Sequence, residues 1–406
     1  MPTTPNPSLK EGGELAFLAL ASCMSSPLHH RLAAHLAKRE GEGTRRRLSL
    51  PTENLVDFSS NDYLGLARSP ALQQALRVAV GQEPAGSTGS RLLTGNSAAA
   101  EVLETHLAQF HCSEAALLFN SGYAANLGFF AAVPRRGDTI FYDETSHASV
   151  KDGIRGSFAT TYSFRHNDVA DLERRIPRAT GAVFVAVESL YSMDGDMAPL
   201  HELAALCRQR ELYLVVDEAH TNGLYSPHGA GLVAELGLEN DVFARVLTFG
   251  KALGSQGAAV VGSAVLRDYL LNFSRPFIYT TAPAPTTVAT LAAAYQLLPT
   301  LDAERQRLFA LSDYLKTTLN AVPGLHVPAN SHIIHPVFFP TSPGPEAVKR
   351  VAAAAQAAGF DVRAIVAPTV PTGTERLRLI VHSYNTEAEI EALAEVLRQL
   401  SDSYKG

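Results

Sequence analysis

The sequence predicts an α/β protein with a mostly parallel central sheet and a smaller C-terminal α/β domain. Short apolar, β-branched runs such as Leu212–Val216 and Val246–Thr248 have the length and composition of buried strands, and each stops on polar residues with small or glycine neighbours. From Pro70 onward, strand-like and helical stretches alternate with short connections, as when helices cover both faces of a sheet.

Taken in order, His29–Arg39 reads as an amphipathic helix broken at Gly41-Glu42-Gly43, and the basic triplet Arg45-Arg46-Arg47 follows. Such a triplet is ordinarily a solvated surface unless it flanks a pocket. Asn54–Phe58 reads as a strand, and further strands are expected at Ala115–Phe119, Thr139–Tyr142, Thr161–Phe164, Ala182–Val187, Leu212–Val216, Phe243–Thr248 and Ala258–Val261. At Pro283-Ala284-Pro285 the punctuation changes. Helices are expected over Thr287–Leu298 and Ala303–Ala321, then strands near Ile333–Phe338, Val362–Val366 and Leu377–Val381 with helices at Pro345–Ala357 and Glu387–Leu400. The expected divisions are an N-terminal helix-and-strand segment at 25–66, a large domain at 67–284 and a small domain at 285–406.

The first two dozen residues stand apart. Leu20-Ala21-Ser22-Cys23 superficially resembles a lipoprotein cleavage site, but its apolar core is very short, and Lys10 is set against Glu11 and Glu14 where a signal peptide needs positive charge. Residues 1–24 are therefore expected to be a poorly ordered extension, with Met24 as a candidate start.

At 406 residues the chain can build two or three cores. A net charge of −6 gives no basic footprint for nucleic acid or an anionic membrane, and no apolar run approaches a membrane span. Cys23, Cys112 and Cys207 lack disulfide-framework or zinc-ligand spacing, so no metal site is expected and a cytoplasmic location is.

Ligands in open α/β sheets sit at strand ends. One such end carries Asp217-Glu218-Ala219-His220 and another Thr248-Phe249-Gly250-Lys251. An acid and a histidine facing a threonine and a lysine suggest pyridoxal phosphate (PLP), with Lys251 as the Schiff-base amine and Asp217 keeping the pyridine nitrogen protonated. Lysines are scarce, and Lys251 alone ends an apolar strand among small residues, where an amine's pKa falls. The rival DEAH reading, a helicase element, needs a GxxxxGK[ST] loop; Gly250-Lys251 is followed by Ala252 and preceded at the first glycine position by Arg245. Gly86-Ser87-Thr88-Gly89-Ser90-Arg91 lacks the third glycine of a dinucleotide fingerprint.

Three more strand ends join the set. Asn120-Ser121-Gly122-Tyr123 opens a helix whose free N–H groups can hold a phosphate, with Tyr123 beside it. His147 can stack on a flat ring and meet a substrate carboxylate, and Ser192 can donate to the ring.

With these residues in hand, the chain from about Leu28 to Leu400 resembles the α-oxoamine synthases, a family of fold-type-I (aspartate-aminotransferase-like) PLP enzymes. The matching stretches are Ser59-Ser60-Asn61-Asp62-Tyr63-Leu64-Gly65-Leu66, Gly122-Tyr123-Ala124-Ala125-Asn126, Ser146-His147-Ala148-Ser149, His166-Asn167-Asp168, Tyr191-Ser192-Met193-Asp194-Gly195-Asp196 and Thr248-Phe249-Gly250-Lys251. Ile278-Tyr279-Thr280-Thr281-Ala282 and Pro368-Thr369-Val370-Pro371 with Arg376-Leu377-Arg378-Leu379 complete the set.

The resemblance implies that Lys251 carries PLP and moves the proton at Cα, that Asp217 and His220 meet the ring nitrogen and phenolic oxygen, and that His147 stacks on the ring. It implies phosphate contacts from Gly122, Tyr123 and Thr248, a cofactor contact from Ser192, and Thr280 or Thr281 reaching the phosphate of a neighbouring subunit in a homodimer with shared sites. Asn61 and Arg378 would bind the amino-acid carboxylate, Thr369 would lie near the acyl donor, and Arg45 of the triplet would help bind the acyl group. The implied reaction is decarboxylative condensation of L-alanine with a pimeloyl thioester of CoA or carrier protein, giving 8-amino-7-oxononanoate in biotin biosynthesis. The alternatives are other members of the family, which use other amino-acid and acyl partners on the same core, or a PLP-binding homologue without catalysis. Two stretches depart from the family's usual pattern, His220-Thr221-Asn222-Gly223 and the threonine at Thr88.

Overall fold

Seven strands between residues 115 and 262 form the central sheet of the computed structural model, which describes residues 26–48, 50, 54–339 and 344–403. The expected extension at 1–24 lies outside these residues.

The first helix, α1 (Pro27–Gly41), is capped by Ser26 and has no buried residue. The strand expected at Asn54–Phe58 contracts to β1 (Val56–Asp57), and Asn54, with a positive φ of 66°, turns the chain just before it. Helices α2 (Pro70–Gln82) and α3 (Ala98–Phe110) lead into β2 (Ala115–Phe119) and α4 (Gly122–Ala132). There follow β3 (Thr139–Asp143), α5 (Ala148–Arg155), β4 (Thr160–Phe164), α6 (Val169–Arg175), β5 (Val183–Glu188), α7 (Leu200–Gln209) and β6 (Tyr213–Asp217). A short α8 (Leu232–Glu235) precedes β7 (Ala244–Thr248) and β8 (Ala258–Gly262).

The strand order is β2-β8-β7-β6-β5-β3-β4. Strands β7, β6, β5, β3 and β4 run parallel and β8 is antiparallel to both its neighbours, so the expectation of a mostly parallel sheet holds. Burial on both faces explains the unbroken apolar runs: Val183–Glu188 is buried at every position. The parallel strands place the ends of β3, β5, β6 and β7 along one edge.

Beyond the sheet come α9 (Ala264–Phe273), α10 (Arg275–Ile278), α11 (Pro285–Leu297) and α12 (Asp302–Asn320). The last elements are β9 (Ile334–Val337), α13 (Pro345–Ala357), β10 (Phe360–Asp361), β11 (Arg363–Ile365), β12 (Arg376–Ile380) and α14 (Glu387–Ser403). Strands β11, β12 and β9 make a small antiparallel sheet. Segment 56–63 attaches to this unit: β1 pairs in parallel with β10, Ile380 N–H donates to the Phe58 carbonyl, and Ser383 N–H to that of Tyr63. Phe58 and Tyr63 are fully buried there, which carries Asn61 toward the sheet edge. Among the described residues, no helix is long and apolar enough to cross a membrane.

Candidate active site

The parallel strand ends surround a cavity of about 350 Å³ whose wall includes Asn61, Gly122, His147, Asp217, His220 and Lys251. Four of the residues expected to do chemistry, Lys251, Asp217, His147 and His220, thus meet in one place.

Asp217 closes β6, and its carboxylate is held from two sides. Oδ1 accepts from Ala219 N–H at 2.9 Å and Oδ2 from Asn126 Nδ2 at 2.7 Å. The second amide hydrogen of Asn126 goes to Ser149 Oγ at 3.0 Å, which leaves the Ser149 hydroxyl to donate to His147 Nδ1 at 2.8 Å. His147 Nδ1 also accepts from Ser149 N–H, so the ring carries its proton on Nε2. Partial burial, with Lys251 and Lys151 nearby and Asp217 opposing, lowers the His147 pKa. The ring is therefore neutral near pH 7.

Glu188 ends β5 in register with Asp217. Its Oε1 accepts from the backbone N–H of His147 at 2.5 Å, pinning the start of α5. Burial, and then the Asp217 charge, lift its pKa to about 8. Across the cavity, loss of solvation lowers Lys251 to about 8, against the opposing pull of Asp217 and Glu188. An amine so placed is a far better nucleophile and base at neutral pH than a surface lysine.

His220 lies with Nδ1 2.7 Å from Tyr63 Oη, and burial pushes its pKa well below the ordinary value. Tyr63 Oη also donates to Asn61 Oδ1 at 3.4 Å, and Asn61 Oδ1 accepts from Arg378 Nη2 at 3.0 Å. Arg378 Nε donates to the Ser192 carbonyl at 2.6 Å. Asn61, Arg378 and Ser192 are thereby joined, although Ser192 participates through its backbone.

The helix α4 begins at Gly122, where its first N–H groups precede the helical ladder. A side chain there would put a Cβ 2.5 Å from Thr248 Cγ2, so glycine lets the helix start close against the end of β7. Tyr123 lies on the open side of the cavity.

The remaining expected residues lie elsewhere. Thr369 lines a separate cavity and accepts from Arg46 Nη2 at 3.1 Å, while Arg45 pairs with Glu40 at 3.1 Å; the triplet member at Thr369 is Arg46. Asn120 Nδ2 donates to Thr280 Oγ1 at 3.2 Å and to the Thr281 carbonyl at 2.7 Å, on a neighbouring cavity that shares Gln256 and Gly257 with the first.

Sequence reasoning missed Glu188, Asn126, Ser149 and Tyr63. For Glu188 a signal existed: the strand-end rule finds it once β5 is extended by one residue. Asn126 gave no local signal, since its partners Ser149 and Asp217 come from other elements, whereas Ser149 meets His147 only two residues away.

The donor set fits PLP. A low-pKa amine, an anchored carboxylate and a helix start for a phosphate converge, and Asn126 Oδ1 is buried there without a partner among the described residues.

The model of the aminotransferase class I and II family matches residues 53–397. The chain is 41% identical to an 8-amino-7-oxononanoate synthase of Emericella nidulans, over 91% of this chain and 95% of that protein. It is 38% identical to one from Marinobacter nauticus, over 87% and 91%. In structure it is similar to serine palmitoyltransferase of S. paucimobilis with PLP and myriocin bound, at a TM-score of 0.86 and 28% identity over 95% of this chain and 99% of that one. It is also similar to 8-amino-7-oxononanoate synthase of Francisella tularensis, at a TM-score of 0.75 and 25% identity over 87% and 99%.

Proposed function

Because the chain belongs to the aminotransferase class I and II family and, within it, to the α-oxoamine synthases, we propose that it condenses L-alanine with a pimeloyl thioester. The products are 8-amino-7-oxononanoate, CO₂ and the free thiol of CoA or carrier protein, a cytoplasmic step of biotin biosynthesis. PLP held by Lys251 supplies the electron sink that makes the amino acid's Cα–H acidic and its carboxylate expellable.

The chain's own residues do the rest. Lys251, with its pKa near 8, is partly neutral at pH 7.5 and takes the Cα proton, then returns one after CO₂ is lost. Asp217, fixed by Ala219 and Asn126, would meet the pyridine nitrogen of bound PLP and keep it protonated. His147 presents a neutral imidazole face with Nε2–H free for a carboxylate, and Asn61 with Arg378 offers a second carboxylate contact. The start of α4 and Thr248 would hold the phosphate of PLP, and Thr280 or Thr281 of a second copy would complete that site in a homodimer.

The observation that carries this reading is the meeting of Lys251, Asp217 and His147 in one cavity in a chain 41% identical to a named synthase. The structural likeness to serine palmitoyltransferase favours a second reading, a sister enzyme with another amino acid and acyl chain, because the shared fold does not choose the acyl group. Thiol release with L-alanine and pimeloyl-CoA tests the first reading against the second. Turnover with serine, glycine or a long acyl chain alone would move the protein to the sister activity.

A further inference from the structure

The segment that carries Asn61 is tied to the C-terminal unit by a histidine outside the cavity around Lys251. His382 lies two residues past the end of β12 and is fully buried. The backbone bonds from Ile380 to Phe58 and from Ser383 to Tyr63 bracket it, and its ring meets the turn at 59–62. There Nε2 stands 3.0 Å from the Ser60 carbonyl and 3.1 Å from the Ser60 hydroxyl. On the other side Nδ1 meets Asn385 Oδ1 at 3.0 Å. That oxygen can only accept, because Asn385 Nδ2 is the atom turned to Glu389 Oε2 at 3.3 Å, so Nδ1 carries a proton. Nε2 then reaches Ser60 by donating to its carbonyl or by accepting from its hydroxyl.

The ring is fixed in its plane as well. It stacks on Tyr384 with centroids 4.8 Å apart and planes 6° from parallel, and Tyr384 Oη donates to Asp57 Oδ2 at 3.1 Å. Asp57 Oδ1 accepts from Ser59 N–H at 3.0 Å and Ser60 N–H at 2.9 Å, closing the turn from its other end. Ser60 is therefore held at its N–H by Asp57 and at its carbonyl and hydroxyl by His382. The next residue is Asn61, whose Oδ1 is taken by Tyr63 and Arg378. That leaves the Asn61 amide hydrogens for the cavity that Asn61 lines.

We propose that His382 is a positioning residue for the amino-acid carboxylate: by holding Ser60 it aims the Asn61 amide into the cavity around Lys251. This rests on the reading of the reaction given above. His382 touches no reacting group, so what it contributes is where Asn61 stands. A hydrogen bond to a carboxylate weakens steeply when its donor turns away from line. The start of α4 and Thr248 are built on other elements and do not depend on this turn.

Glutamine can place its amide where the imidazole has Nε2, and asparagine only where it has Nδ1. In the holoenzyme, His382→Asn is expected to raise the KM for L-alanine about tenfold, with the KM for pimeloyl-CoA and the PLP content unchanged, and His382→Gln to keep all three within about twofold. In an Asn61→Ala background, His382→Asn adds no further rise. Equal effects of the two variants, a rise in both KM values, or full additivity with Asn61→Ala would make His382 a packing residue and overturn the proposal. Amide exchange followed by mass spectrometry reads the turn without substrate: residues 59–62 exchange about tenfold faster in His382→Asn than in His382→Gln, and equal rates overturn it. Should His382→Asn not fold, Asn385→Ser, which frees the far nitrogen of the ring, is expected to give the same split between the two KM values at about threefold, and no split overturns it. Turnover with serine or glycine but not L-alanine would end the functional reading, while the KM for that amino acid decides this one, because all three share the carboxylate. With no turnover at all, the exchange rates decide it.

Discussion

At the scale of single residues, Lys251 and His166 show how burial and neighbours set chemistry. Lys251→Ala is expected to abolish the borohydride-reducible adduct with PLP while the fold, followed by circular dichroism, persists; a variant that still forms the adduct would sink the assignment of this lysine. For His166, burial disfavours the cation, but Asp143 and Asp196 outweigh it and lift the pKa to about 10. A folded-state pKa above the unfolded value of about 6.5 stabilises the protein fully below pH 6.5, and that gain disappears as pH rises through 10. His166→Gln should therefore cost about 2 kcal/mol at pH 6 and much less at pH 10.5, read from denaturant midpoints at the two pH values. A cost independent of pH would mean that packing, not charge, is what His166 provides. The four residues at the centre of the cavity were legible because a polar group after an apolar strand announces a strand end. The choice among Arg45, Arg46 and Arg47 was not, since it depends on which guanidinium groups Glu40 captures once the chain turns at Gly43, whose φ is +64°.

Among the elements, the turn after β7 is the most constrained. Gly254 has a φ of +61°, and a Cβ there would lie 2.1 Å from Ala67 N, so the lysine-bearing turn packs directly on the segment after Gly65. Gly254→Ala combines that collision with backbone strain and should destabilise the protein by roughly 3 kcal/mol or more, with weaker retention of PLP on gel filtration. Unchanged melting and a full complement of cofactor would show that this packing is dispensable. Most helices and strands were readable within a residue or two from periodicity alone. The exceptions follow a physical rule: β1 is short because its pairing partner, β10, is itself only two residues long, and no local pattern reports the length of a distant partner.

For the whole molecule, the open side of the cavity matters most. Tyr123 lines it at 46% exposure, and Tyr279, beside Thr280, is 72% exposed, as expected of a face that a second copy covers. Light scattering is expected to give twice the chain mass. A Lys251→Ala chain mixed with a Thr280→Ala/Thr281→Ala chain should regain up to about one quarter of full activity, because half the dimers then hold one intact shared site. No gain on mixing, with chain exchange verified by mass, would mean that each copy works alone. By itself the sequence determined the class of fold, the strand ends and the chemical groups at them, since these follow from local periodicity and from where apolar runs stop. Only the tertiary structure decided that Glu188 stands beside Asp217, that Asn126 and Ser149 link that carboxylate to His147, and that segment 56–63 brings Asn61 to the edge from the C-terminal unit. Apart from Ser149 with His147, two residues away, these contacts join residues from different elements, and hydrogen-bond partners far apart in the chain are set by packing, about which local composition carries no information.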